Sequence, residues 1–146
     1  MAIHVDFSIL EALKLKLSEL TWINTIAIDG IRRQASEVHE HETPFVQVQA
    51  LIQTYQEVRQ RVDVSMSIDI VLVLKPSADG NVSQKELMDR REEIEQKIGE
   101  SPKLGIARVK GLYPLGNQMD LHSFSPWYVS VSFFRADYTK PYTGDC

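Results

Sequence analysis

The sequence predicts an α+β fold: a mainly antiparallel sheet with a long β-hairpin and two helices packed on one face. Three observations carry this. Val62–Lys75 reads VDVSMSIDIVLVLK, with an apolar side chain at every second position from Val62 to Leu74. Such a period of two marks a strand, and a helix would scatter the same side chains around its circumference. A second alternating run, FVQVQALI at Phe45–Ile52, lies just upstream, and the two make a hairpin. Two leucine- and isoleucine-striped segments, Ser8–Leu20 and Ser83–Ile98, have helical spacing.

Each element follows from local chemistry. Ser8 and Glu11 have capping-box spacing, and Leu10, Leu13, Leu17 and Leu20 form one stripe. Trp22–Ile28 is a short strand candidate closed by the turn signal Asp29-Gly30. Ile31–His41 is polar and shows no period. Thr43-Pro44 precedes the Phe45–Ile52 strand, and Gln53–Arg61 is read as the loop to the central strand. That loop has no Gly, Pro or Asn, which argues for a longer polar connection over a tight two-residue turn.

The central strand, 14 residues long, would span roughly 46 Å, so one end is expected to leave the domain body. Pro76–Asn81 is a loop. Ser83 and Glu86 make a second capping box, flanked by a Val82–Leu87 staple, and Gly99 is a natural helix stop. Ile106–Leu112 is a short strand, broken by Tyr113-Pro114-Leu115-Gly116-Asn117. Trp127–Phe134 alternates again, with Trp127, Val129, Val131 and Phe133 on one face. The core is expected to combine Val64, Ile68, Ile70, Leu72, Val129 and Val131 with Leu13, Leu17 and Ile94. The other face would be small and polar, through Gln47, Gln49, Asp63, Ser65, Ser67, Ser130 and Ser132. Residues 135–146 read as a polar C-terminal tail, and residues 1–146 as a single domain.

Composition narrows the function. Apolar content of 43% and charged content of 25% suit a soluble globular chain. No apolar run approaches a membrane span, and the first residues show no secretory pattern. The one cysteine, Cys146, cannot form an internal disulfide. A net charge of −4 argues against a dedicated nucleic-acid-binding domain.

The only cluster of possible metal ligands is His39-Glu40-His41-Glu42. It lacks the i, i+4 spacing of HExxH and a nearby third ligand, so a solvated loop is expected and no metal. His4 and His122 are isolated. No nucleophile motif or phosphate-cradling loop is present, so neither enzyme activity nor a cofactor is expected. Arg32-Arg33 and Arg90-Arg91 read as surface charge. What is left is a surface and no pocket: an interaction domain.

The order of elements resembles the tail terminator and tail-completion proteins of long-tailed, siphovirus-like bacteriophages. The likeness runs over nearly the whole chain. It includes the Leu10–Leu20 helix, the strand after Thr43-Pro44, the VSMSIDIVLVLK strand, the helix at Ser83, GLYPLG at Gly111–Gly116 and WYVSVSFFRADY at Trp127–Tyr138. The resemblance implies a structural virion protein without catalytic residues. It would form a homo-hexameric ring at the head-proximal end of the tail, assembled in the host cytoplasm. Its partners would be further copies of itself, the tail tube protein and the head-completion or connector protein. DNA would pass through the lumen without specific binding, and no membrane is involved. A connector or tube protein of the same particle, and a small metal-dependent enzyme using His39 and His41, are the alternatives. The expected subunit interface is the hairpin tip, with Tyr55 and Val58 as anchors and Glu57, Arg59 and Arg61 pairing with charges next door.

Overall fold

The computed structural model describes residues 5–28, 42–58, 61–75, 80–120 and 128–141. The order is α1 (Val5–Leu17), β1 (Thr25–Ile28), β2 (Phe45–Val58), β3 (Arg61–Leu74), α2 (Gly80–Gly99), β4 (Val109–Asp120) and β5 (Tyr128–Pro141). The five described strands form one sheet in the order β1-β2-β3-β5-β4. Only β1 and β2 are parallel, and every other pairing is antiparallel. The fold is α+β with a long hairpin and both helices on one face, as the periodicities require.

The main core lies between that face and the helices. Val64, Met66, Ile68, Ile70 and Leu72 of β3 are buried with Val46 and Val48 of β2. Above them sit Ile9, Leu13 and Leu17 of α1 and Leu87, Ile94 and Ile98 of α2. Leu10 and Leu20 are only half-buried, so the α1 stripe centres on Ile9, Leu13 and Leu17. Both helices start one turn earlier than expected: Ser8 and Ser83 are inside them. The spacing of a capping box is also that of neighbours one helical turn apart, so the pattern alone does not separate a cap from a first turn.

Strand β5 turns the other way from its expected register. Ser130, Ser132, Phe134, Ala136 and Tyr138 point to the helix side, through pairs such as Ser132 with Ile70 and Phe134 with Ile68. Val129 is therefore buried in a second, smaller cluster with Phe45 and Val73 on the opposite face, and Val131 packs there half-buried. The reason is the strand's true length. Residues 135–141 are not a tail: β5 runs on to Pro141, and its second half contributes Phe134, Ala136 and Tyr138, all buried. A strand's parity is set by its whole buried set, and this larger set outweighs Val129 and Val131.

The opposite face is likewise not uniformly small and polar. Its inner half buries Phe45, Gln47, Gln49, Asp69, Val73 and Val129, and only its outer half, from Ser67 outwards, is the polar surface expected. The two serines assigned to it point to the helix side instead. Ser132 Oγ donates to Glu95 Oε1 at 3.1 Å, whereas the buried Ser130 Oγ has no hydrogen-bond partner among the described residues. Ser132→Ala is expected to cost about 1.5–3 kcal/mol for a hydrogen bond to a charged group, while Ser130→Ala leaves stability unchanged or slightly raised. Urea denaturation of the two variants checks this, and equal losses would contradict it.

Three further boundaries differ. β1 is shorter than Trp22–Ile28, because two turns follow α1 and carry the chain to Asn24. β4 passes through the Tyr113–Asn117 segment that was expected to end it. It tolerates Pro114 because it is an edge strand, and it absorbs the irregularity by register shifts at Val109/Gly111 and Pro114/Gly116. Gly116 has φ of 144°, a backbone open to glycine and strained for other residues. Finally, Val58 pairs with Arg61, so the hairpin connection is two residues and not a long loop.

The helices are tied at their C-terminal ends by alternating charges. Lys16 Nζ lies 3.1 Å from Glu100, and Lys97 Nζ lies 3.3 Å from Glu100 and 3.6 Å from Glu19. Hydrogen bonds from Lys16 and then Lys97 hold the Glu100 carboxyl below its ordinary 4.5. The hydrogen bond to Glu100 holds the Lys97 ammonium above its ordinary 10.5. A depressed carboxyl contributes stability above its unfolded pKa that is lost as the pH falls through the folded one. For the raised lysine the contribution is complete below 10.5 and is lost as the pH rises beyond it. The stability difference between wild type and Glu100→Gln is thus expected to shrink as the pH falls below 4.5. A difference constant from neutrality down to about pH 3 would contradict the tie.

Candidate functional site: the outer end of the hairpin

The outer end of the sheet is built from three strands. β5 follows β3 to the pair Arg61–Pro141, so the hairpin is not the lone two-stranded ribbon its length suggested. Val64 is buried and Val62 half-buried, so only the outermost pairs leave the core. On the other side, β1 accompanies β2 only from Phe45 to Val48. Beyond that, the outer edge of β2 has no strand partner among the described residues.

A register shift between Ala50 and Gln53 re-aims β2 as it leaves the body. It turns Gln53 towards the helix side, where Gln53 Nε2 donates to Tyr138 Oη at 3.1 Å and lies 3.4 Å from Met66 Sδ. Tyr55 Oη in turn donates to Gln53 Oε1 at 2.8 Å, and Lys140 Nζ stands 5.4 Å from the centre of the Tyr55 ring. The exposed Tyr55 is thereby chained to the fully buried Tyr138. This pre-orders the edge: an ordered surface loses less entropy when a partner arrives.

Of the expected interface residues, Tyr55, Glu57 and Arg61 are exposed at this end. Val58 is the last residue of β2, and Arg59 lies outside the described residues. Arg61 is already engaged, with Nε 3.3 Å from Asp63 Oδ1. Lys110, Tyr113, Arg135, Asp137 and Lys140 were missed. Arg135, Asp137 and Lys140 were hidden in the supposed tail, although the alternation Phe134, Ala136, Tyr138 signalled that the strand continued. Tyr113 was hidden by the breaker reading of β4, and Lys110 lay in the expected strand, where only tertiary pairing brings it to Asp63.

Lys110, Tyr113, Arg135 and Asp137 join Asp63 and Ser65 in a charged patch on the face away from the helices, whereas Lys140 pairs with Val62 on the helix side. Lys110 Nζ lies 3.4 Å from Asp63, and Arg135 Nε lies 3.2 Å from Asp137. Ser65 Oγ donates to Asp137 Oδ1 at 2.8 Å. The Arg135 guanidinium stands 5.0 Å from the centre of the Tyr113 ring. That ring in turn leans over Gly111, where an added Cβ would sit 2.7 Å from the Tyr113 hydroxyl.

Other features offer less. No three His, Cys, Asp or Glu side chains gather as a metal site among the described residues. His39, Glu40 and His41 lie outside those residues. A groove of about 550 Å³ beside Phe7 and Leu15 of α1 is far more apolar than polar, and the Ser18 hydroxyl on its wall donates to the Leu15 carbonyl. Among the described residues no helix is long and apolar enough to cross a membrane. No protein-family model matches the chain, and no curated protein is significantly similar to it.

Proposed function

We propose that this chain is a structural subunit of a long-tailed bacteriophage, a tail terminator. Six copies close into a ring at the head-proximal end of the tail tube. The ring stops tube growth and receives the head-completion or connector protein. It carries no active site.

The observation that supports this reading most is the outer edge of β2, supported by β3 and β5 and pinned through Gln53 to Tyr138. A stiff edge with exposed Thr54, Tyr55, Gln56 and Glu57 and no proline or lysine is a template for another chain. The opposite edge, β4, is blunted by Pro114 and two register shifts. One receptive and one protected edge favour a directional contact over uncontrolled stacking. A directional contact repeated about an axis closes a ring when the rotation permits.

Disrupting the gene in the parent phage tests the proposal. The expected result is heads that lack tails, together with tails of uncontrolled length. Complete infectious particles in its absence would overturn the proposal.

A further inference from the structure

The charged patch at the outer end has an uneven depth profile. Arg61, Lys110 and Arg135 are about half exposed, at 55%, 47% and 46% of their side-chain surface, whereas Asp63 and Asp137 are at 25% each. Cationic heads therefore face water, and the carboxylates lie beneath them. All five belong to one sheet face: Arg61 and Asp63 alternate on β3, Asp137 pairs with Ser65 and Gly111, and Arg135 pairs with Ser67 and Tyr113. One carboxylate serves two cations, Asp63 with Arg61 and Lys110, and the other serves Arg135.

Exposed ion pairs of this kind contribute little to stability. Their larger effect is on the field outside the protein. Three half-exposed cations beside an exposed aromatic ring would otherwise make a phosphate-binding surface, because neutralising phosphates releases condensed counterions. With a carboxylate against every cation, the outward charge falls to about one unit and that release is mostly lost.

We infer that Asp63 and Asp137 are specificity residues that keep a latent polyanion-binding face from holding phosphate. That the polyanion is duplex DNA sliding past rests on the ring proposed above; the masking of the three cations does not.

The test is titration of a labelled duplex of about 20 base pairs with the full chain, across about 50–200 mM salt. Wild type is expected to show negligible binding at the upper end. Asp63→Asn/Asp137→Asn is expected to bind at least about tenfold more tightly at low salt, with a log–log salt slope steeper by about two to three. Adding Arg61→Gln, Lys110→Gln and Arg135→Gln should return the variant to wild-type behaviour. Asp89→Asn/Glu93→Gln removes the same charge from α2, where the partners are Lys85 and Arg90, and should change affinity little.

Circular dichroism establishes that each variant is folded. If the double variant is not, the single variants must each show a smaller gain of the same sign. No gain in the folded variants, an equal gain in the α2 control, or tight binding by wild type overturns the inference. Oligomeric state recorded in the same samples separates the two claims. A gain in DNA affinity without rings removes the ring reading and keeps this one, and rings without the gain do the reverse.

Discussion

Ile70→Ala is expected to destabilise the fold by about 2–5 kcal/mol, the range for truncating a large aliphatic side chain in a packed core. Ile70 is 1% exposed, and it lies mid-sheet between Val48 of β2 and Ser132 of β5. Its side chain faces the helices, in the same buried cluster as Leu13, Leu17 and Ile94. The strands around it are held by two ladders, so the site collapses poorly and the cavity persists. For a domain of this size the melting temperature should fall by about 2–4 °C for each kcal/mol lost. Val131→Ala removes a half-buried side chain from the opposite face and should cost clearly less. A melting temperature unchanged by Ile70→Ala, or a larger fall for Val131→Ala, would contradict the placement of the core.

Replacing Thr54–Gln60 by Gly-Ser is expected to abolish ring assembly and tail completion while leaving a folded monomer. The deletion removes the outer edge of β2 and the Tyr55 contacts but spares Gln53 and its bond to Tyr138. It also spares the pairing of β3 with β5, from Arg61–Pro141 inwards. The buried residues Val64, Met66 and Tyr138 stay under their cover, so the loss should be confined to assembly. The single change Tyr55→Ala should weaken assembly without a measurable change in melting temperature, because Tyr55 is 58% exposed. Rings and infectious particles formed by the deletion variant would show that the hairpin is not the assembly element.

How much of this was legible from residues depends on the element. β3 was plain, since the set it turns to the helices alternates over the full length, from Val64 to Leu74. α2 was plain from Leu87, Ile94 and Ile98. Parity failed in β5 because the strand was cut at Phe134. Four residues of WYVSVSFF favour one face, but the sheet is decided by Phe134 together with Ala136 and Tyr138 beyond the cut. β4 failed because Pro114 and Gly116 are breakers in an interior strand and permissible on an edge, and edge status is a property of the assembled sheet.

The two-residue hairpin connection was missed for a related reason. The loop estimate rested on the absence of the favoured turn residues, whereas register is enforced here by two long ladders on either side of β3. Of the candidate site, the tip residues Tyr55, Glu57 and Arg61 were visible as polar or amphipathic side chains at the end of an overlong strand. The neighbouring Lys110, Arg135 and Asp137 were not, because only tertiary pairing brings them to Asp63 and Ser65.

Electron microscopy of tail tubes incubated with the purified chain shows whether the chain closes a ring on the tube. A six-fold ring of this 16.7 kDa chain is expected on one end of each tube, with no further growth at that end when fresh tube subunits are added. Tubes that carry no ring and continue to lengthen, with the chain remaining monomeric in solution, would contradict the ring.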